Sequence, residues 1–284
     1  MRKIKLITDS CSSIDENLKN ELGIDVIPMS FIMNNMLMNP FNLGMDIEEF
    51  YNKLEDHPNI ATSCIAPQTY YDYFEKYIGE YDIIYISLSA GLSASYNNAF
   101  IAKNMILEEY QNAKVEIIDS VSGSYGMLFA INACLKLIED GQTIEEIKAR
   151  IDKNKLNVES DFTIGSLYHL YKGGRLKLTT AMIGGVLRIK PIVSCNKSGV
   201  LEQESVHIGK KKAINELLKR VIERINPSDK RVFITYTNNK DEYESLKEKL
   251  LASDPELIIK SAHIDPTLGC HCGPKTLAVF FRKK

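Results

Sequence analysis

The first half of the chain alternates short apolar runs with amphipathic stretches, and this pattern predicts strands that alternate with helices. The predicted strands cover residues 4–7, 26–32, 83–86 and 115–118. A helix is expected after the capping pair Asp46 and Glu49, and others over residues 68–78, 95–110 and 122–139. Strands and helices in this order form crossover units, so a parallel sheet is expected.

The second half of the chain has a different organisation. A Thr143-x-x-Glu146 capping box opens a helix that is expected to reach about residue 157, where we place the domain change. Predicted strands then cover residues 162–165, 189–194, 200–206, 232–237, 257–263 and 276–281, with helices near 166–172, 210–225 and 240–251. Short turns such as 196–199 are typical of antiparallel pairing.

These patterns predict a two-domain α/β protein. The N-terminal α/β domain covers residues 1–157 and has a parallel sheet, and its loops carry the candidate binding residues. The C-terminal domain covers residues 158–284 and is of the mixed or antiparallel α+β type. A ligand site is expected between the two domains.

Composition and charge narrow the functional classes. The 284 residues are 44% hydrophobic and 25% charged, with 35 basic and 37 acidic side chains, which is typical of a globular protein and disfavours nucleic acid as a partner. Apolar runs are too short for stable membrane insertion, and the N-terminus becomes polar too early for a signal peptide, so a cytoplasmic protein is expected. The six irregularly spaced cysteines indicate reduced thiols.

Several motifs that carry chemistry are missing or incomplete. The chain has no Gly-x-x-x-x-Gly-Lys-Ser/Thr loop and no Gly-x-Gly-x-x-Gly after the first strand, so no nucleotide cofactor is expected. The segment from Gly91 to Ser95 lacks the second glycine of a nucleophile elbow. Cys270, His271 and Cys272 are adjacent, and on an extended segment they would point in opposite directions, so no metal site is expected.

Small hydroxyl and acidic residues follow three of the predicted strands. They are Thr8-Asp9-Ser10, Ser87-Leu88-Ser89 and Asp119-Ser120. Ligands of open α/β sheets bind outside the carboxyl ends of the strands, where loop amides and helix N-termini converge. These hydroxyl groups are therefore expected to lie where a ligand binds.

Six segments together resemble the DegV family of bacterial fatty-acid-binding proteins. They are Ile-Thr-Asp-Ser-Cys-Ser at 7–12, Thr62-Ser63, Ile-Ser-Leu-Ser-Ala-Gly-Leu-Ser-Ala-Ser-Tyr at 86–96, Asp119-Ser120 with Gly126, Tyr-Lys-Gly-Gly-Arg at 171–175, and Leu-Gly-Cys-His-Cys-Gly-Pro at 268–274. Each segment is a weak signal alone. Their order and spacing over nearly the whole chain make the resemblance specific.

The resemblance implies that one long-chain fatty acid, such as palmitate, is held between the domains. The carboxylate-binding hydroxyls of the family correspond to Thr62 and Ser93. His271 and Arg175 are expected to add positive charge or to hold the hydroxyl groups in place, with Arg175 and Ser63 supporting the site or facing a partner. The family includes the lipid-carrying subunit of bacterial fatty acid kinase, so the resemblance implies a non-catalytic carrier that meets an ATP-dependent kinase subunit.

Each candidate residue also has a local interpretation. The hydroxyl of Thr62 or Ser63 satisfies loop amides, Ser93 caps the following helix, and Arg175 is a solvated charge in a turn. The alternative function is a serine-dependent acyl hydrolase or acyltransferase. In that case Ser93 or Thr62 would act with His271 and an acid such as Asp9 or Asp119.

Overall fold

Strands and helices alternate along most of the chain in a computed structural model, which describes residues 2–56, 59–176 and 189–284. The strands are β1 (Lys3–Asp9), β2 (Asp25–Ile27), β3 (Phe31–Met33), β4 (Met36–Met38), β5 (Ile60–Thr62), β6 (Tyr81–Ser87), β7 (Val115–Asp119), β8 (Val158–Thr163), β9 (Ile189–Cys195), β10 (Leu201–Ile208), β11 (Arg231–Tyr236), β12 (Ile258–His263) and β13 (Leu277–Arg282). The helices are α1 (Glu16–Leu22), α2 (Ile47–Glu55), α3 (Pro67–Ile78), α4 (Ser95–Glu109), α5 (Met127–Glu139), α6 (Ile144–Asn154), α7 (Tyr168–Lys172), α8 (Lys210–Arg224), α9 (Lys240–Ser253) and α10 (Pro266–Cys272).

The N-terminal half forms a parallel sheet of four strands in the order β2-β1-β6-β7. The central strand β6 is buried from Asp82 to Ser87 without alternation. A continuous buried run of this kind is typical of a parallel sheet that is covered on both faces. The predicted parallel α/β arrangement is confirmed.

The C-terminal half forms a mixed sheet of six strands in the order β10-β9-β8-β13-β11-β12. Only β11 and β12 pair in parallel, and the other neighbours are antiparallel. Strands β9 and β10 are joined by a tight turn in which the amide of Gly199 bonds the carbonyl of Asn196 at 2.9 Å. The predicted mixed fold class and this antiparallel turn are confirmed.

The domain boundary at residue 157 remains a proposal. It is supported by the start of β8 at Val158, directly after a short 3-10 turn over Lys155–Asn157. The two halves are also packed together, because Phe233 and Phe280 of the second sheet belong to the same buried cluster as the strands of the first.

The prediction of one strand over residues 26–32 is wrong. Strand β2 ends at Ile27, and Phe31 begins β3 in a separate antiparallel sheet with the order β4-β3-β5. Pro28 lies between them and has no backbone N–H for a ladder, so the chain leaves the first sheet there. The strands β4 and β5 were not predicted because each is only three residues long.

The segment that carries His271 is helical, so the prediction of an extended loop there is wrong. Asp265 caps α10 by accepting bonds from the amides of Thr267 at 2.9 Å and Leu268 at 3.3 Å, and Pro266 occupies the first turn. Adjacent side chains of a helix do not point in opposite directions, so the geometric reason for expecting no metal site at residues 270–272 is absent. Within the described ranges, no group of three or more His, Cys, Asp or Glu side chains is placed to hold a metal ion.

The described residues contain no helix that is both long and apolar enough to span a membrane. All six cysteines are free thiols.

Candidate functional site

A cavity with mainly apolar walls is lined by residues from both halves of the chain. The space within its walls, together with the open solvent at its mouth, is about 900 Å³. Six of the apolar residues that form its wall are Met29, Leu88, Phe162, Leu201, Ile264 and Phe280. An apolar lining of this kind favours the binding of an alkyl chain.

All five residues singled out in the sequence line this one cavity. They are Thr62, Ser63, Ser93, Arg175 and His271. They come from β5, the segment after it, the loop before α4, the turn after α7, and α10. The tertiary structure thus brings together residues that are up to 209 positions apart in the sequence.

Thr62 and His271 form a direct hydrogen bond of 2.8 Å between Oγ1 and Nε2. Burial, together with the nearby Arg175 and His169, lowers the pKa of His271 from 6.5 to about 4. The ring is therefore neutral at pH 7, and the expectation that His271 adds positive charge is not supported. A proton on Nε2 would bond Thr62 Oγ1 and leave the threonine hydroxyl free to donate to a ligand.

Ser93 lies at the end of a chain of hydroxyl contacts. Its Oγ donates to Ser95 Oγ at 3.0 Å and accepts from the Ser95 amide at 3.2 Å. Ser95 Oγ in turn accepts from the amide of Ile65 at 3.1 Å. Ser93 therefore closes a local turn before α4, while Ser95, to which the sequence analysis assigned no role, links this turn to the segment after Thr62.

Arg175 is held in place by two backbone carbonyls. Its Nε donates to the carbonyl of Leu92 at 3.1 Å, and its Nη1 donates to the carbonyl of Gly173 at 2.6 Å. The interpretation of Arg175 as a solvated charge in a turn is therefore wrong. The guanidinium joins the loop before Ser93 to the turn that packs on His271.

A second, more polar space adjoins the same residues. Thr62, Arg175 and His271 line both the apolar cavity and this outer space of about 670 Å³, which includes open solvent and to which Lys172 also contributes. The three residues therefore lie at the boundary between an apolar interior and a polar opening. That is where a ligand with an apolar tail and an anionic head would place its head group.

The contacts of a hydrolytic triad are not assembled among the described residues. His271 bonds Thr62, and no bond connects it to Ser93. Asp9 accepts bonds from Tyr85 and from backbone amides, and Asp119 accepts bonds from backbone amides alone. Of the two candidate nucleophiles, His271 thus contacts Thr62 and not Ser93, and neither aspartate bonds its ring as the orienting acid of such a triad.

Gly173 allows the close approach of its turn to His271, and we expect a side chain there to displace the ring. An added Cβ would lie closer to Nδ1 of His271 than real Cβ atoms approach their neighbours. Gly173→Ala should therefore break the Thr62 bond and lower the free energy of unfolding by about 1–3 kcal/mol. The expected pKa of His271, measured by NMR, rises towards its ordinary value of 6.5.

The matched control for this prediction is Gly79→Ala, because an added Cβ at Gly79 meets nothing within 4 Å. An unchanged His271 titration in Gly173→Ala would show that the ring does not depend on this contact.

The chain is similar throughout its length to proteins of one family. The matching family model is described as "Uncharacterised protein, DegV family" and covers residues 3–284. A DegV domain-containing protein of Clostridium perfringens is 31% identical over 99% of this chain and 98% of its own.

Solved structures with the same fold include proteins that are described with bound lipids. A DegV family protein from Thermus thermophilus, described for its fatty acid binding, has a TM-score of 0.87 at 23% identity, with 100% of both chains covered. The Fatty Acid Kinase B3 protein of Streptococcus pneumoniae, loaded with linoleic acid, has a TM-score of 0.83 at 20% identity, covering 99% of this chain and 100% of its own.

Proposed function

This chain belongs to the DegV family, and on that premise we propose that it binds one long-chain fatty acid, such as palmitate. The tail occupies the apolar cavity, and the carboxylate lies against Thr62, Ser93 and His271. The observation that carries the proposal is the Thr62–His271 pair at the boundary between the apolar cavity and the polar opening.

The tail provides most of the binding free energy. At about 0.8 kcal/mol for each buried methylene, a tail of about 14 methylenes gains on the order of 11 kcal/mol before the costs of ordering and association. The cavity walls supply the apolar surface that this gain requires, and the hydroxyl groups at its mouth fix the orientation of the ligand.

The head group needs donors that offset the loss of water from the carboxylate. The hydroxyl of Thr62 provides one donor, and the neutral ring of His271 holds Thr62 in place. Ser93 provides a second donor when its hydrogen turns from Ser95 Oγ to the carboxylate. Arg175 supplies the positive charge of the site, at a position set by its bonds to Leu92 and Gly173. Ser63 lines the same cavity beside Thr62 and supports the site.

We propose further that the chain is a carrier and not an enzyme, and that a separate ATP-dependent fatty acid kinase subunit phosphorylates the bound acid. The polar opening beside Thr62, Arg175 and His271 would let such a partner reach the carboxylate. Similarity in fold to the Fatty Acid Kinase B3 protein of Streptococcus pneumoniae, which is loaded with linoleic acid, supports this role. We place the carrier in the cytoplasm, in lipid transport or fatty acid metabolism.

Mass spectrometry of the purified protein tests the proposal. The protein is examined in its native form and again after organic extraction, and one long-chain free acid for each chain is expected. An empty protein, or one that holds a polar metabolite, would contradict it. Turnover of a chromogenic ester, lost in Ser93→Ala, would instead favour the hydrolase.

Thr62→Val keeps the shape of the side chain but removes the donor, and we expect it to weaken binding of palmitate about tenfold or more. The loss corresponds to about 1.5–3 kcal/mol for a hydrogen bond to a charged group. A fluorescent fatty acid displaced by palmitate gives the affinity. Thr62→Ser retains the hydroxyl and is the matched control, so equal losses in the two variants would exclude a role for the hydroxyl.

Arg175→Ala should reduce phosphorylation of the bound acid by a reconstituted kinase by more than about tenfold, because the charge at the opening is lost. The apolar cavity remains, so the purified variant should retain its fatty acid. Extraction and mass spectrometry measure retention separately from phosphorylation. Loss of the lipid would instead show that Arg175 binds the carboxylate of the fatty acid before any phosphorylation.

A further inference from the structure

A small polar pocket lies at the end of β8, apart from the fatty acid cavity. It encloses about 200 Å³, including the space at its mouth, and is lined by Thr163, Ile164, Lys190, Lys210, Glu242 and Lys275. No residue of this group lines either of the two spaces described above. The proposed binding of a fatty acid therefore makes no use of it.

Three lysines converge on this pocket. Lys190 is half-buried and donates to the carbonyl of Gly165 at 2.7 Å. Lys210 pairs with Glu242 at 2.6 Å, and Lys275 pairs with Glu55 at 2.7 Å. Lys190 is thus left with a neutral backbone acceptor beside two other ammonium groups.

The charge of Lys190 is poorly compensated. Burial lowers the pKa of Lys190. The positive charges of Lys210 and Lys275 act in the same direction, and the negative charge of Glu242 only partly opposes them. An anion in the pocket would relieve the repulsion among the three ammonium groups. The electrostatic balance of the pocket therefore favours a negatively charged ligand.

Unused donors also line the pocket. Thr163 is only 4% exposed, and its Oγ1 has no hydrogen-bond partner among the residues that the structure describes. Buried hydroxyl groups nearly always have a partner, so this hydroxyl is available to a water or an anion in the pocket. Lys210 is the first residue of the 15-residue helix α8, whose N-terminus has no side-chain cap. Its free amides and positive dipole end favour an anion.

We propose that this pocket binds a phosphate-type oxyanion, either free phosphate or the terminal group of a small phosphomonoester. Thr163 Oγ1 would donate one hydrogen bond, and Lys190 would donate a charge-assisted bond. Lys210 and Lys275 would contribute through their charge, while Glu242 keeps the side chain of Lys210 in place. The site is separate from the head-group site and adds a second ligand to the protein.

Isothermal titration calorimetry of the purified protein with inorganic phosphate tests the proposal, with chloride at equal ionic strength as the blank. Saturable binding of one phosphate for each chain is expected. Thr163→Val and Lys190→Gln should each weaken it about tenfold, the loss of one charge-assisted bond. Lys211→Gln is the matched control, because Lys211 is an exposed neighbour on α8 that does not line the pocket. Methyl phosphate is the second probe.

A second readout does not require the ligand. Thr163→Val removes an unpaired buried hydroxyl without changing the shape of the side chain, so it should raise the unfolding temperature in phosphate-free buffer. Tighter binding of methyl phosphate than of inorganic phosphate would identify the ligand as a phosphomonoester, and binding of inorganic phosphate alone would identify free phosphate.

Three results would overturn the proposal. The first is the absence of saturable binding to the unmodified protein. The second is an equal loss of affinity in Lys211→Gln, which would reflect general surface charge. The third is a lower unfolding temperature in Thr163→Val, which would show that the hydroxyl already has a partner.

Discussion

Ala278→Phe should reduce the affinity for palmitate about a thousandfold, the largest effect expected from a single substitution. Ala278 and Phe280 of β13 line the cavity, whereas Leu277 and Val279 of the same strand pack in the C-terminal core. The added ring takes the space of about five methylenes, each worth about 0.8 kcal/mol, and the total of about 4 kcal/mol corresponds to the thousandfold change.

Competition with a fluorescent fatty acid measures this affinity for palmitate and for octanoate. Octanoate needs less of the cavity, so its affinity should fall much less than that of palmitate. The unfolding temperature of the lipid-free protein is the control for correct folding. Unchanged stoichiometric retention of palmitate by Ala278→Phe would show that the tail lies elsewhere.

Asp265→Asn should remove the contribution by which the Asp265 carboxyl lowers the stability of the protein as the pH rises from about 4 to 8. Burial raises the pKa of Asp265 from 3.8 to about 7, although the amides of Leu268 and Thr267 oppose the shift. Between these values the folded chain binds a proton that the unfolded chain has released. The stability that this proton provides is complete below pH 3.8 and is lost as the pH rises through about 7.

The asparagine keeps the oxygen that caps α10 but has no charge to bury. The variant should therefore match the unmodified protein near pH 4 and exceed it near pH 8 by roughly 4 kcal/mol in free energy of unfolding. Urea denaturation at a series of pH values measures the free energy of unfolding of the variant and of the unmodified protein. Asp9, whose pKa burial raises to about 6, leaves a smaller dependence of the same sign in both proteins. His271, whose pKa burial lowers, leaves a dependence of the opposite sign in both.

The matched control is Asp46→Asn, because Asp46 caps α2 through its Oδ1 in the same way but is exposed to solvent. Its substitution should leave the pH dependence of stability unchanged. If Asp265→Asn also shows no change, the carboxyl of Asp265 does not retain its proton in the folded protein.

Most of the main strands and helices were predictable because their residues carry local signals: periodic apolar positions, continuous apolar runs or helix caps. Buried runs such as that of β6, and the complete capping box of α6 with Thr143 and Glu146, are local signals. Short elements were missed for the opposite reason. Strand β5 has three residues and depends on pairing with β3, and α10 contains glycine and two cysteines, which are poor indicators of a helix.

The candidate site was predictable only as a set of residues. The DegV resemblance identified Thr62, Ser93, Arg175 and His271, and the structure places them on one cavity. Neither the Thr62–His271 bond nor the neutral state of His271 followed from the sequence, because both depend on the burial of the ring.

The sequence by itself determined the class of the protein: the alternation of its longer strands and helices, the mixed second sheet, and the family that its polar segments resemble. The tertiary structure alone decided which groups meet. Thr62 and His271 are 209 residues apart, yet β5 and α10 bring them into contact. The periodic pattern of apolar residues indicates which face of a segment is buried. Side-chain contacts and pKa values depend instead on residues from distant segments and on the water that those residues exclude.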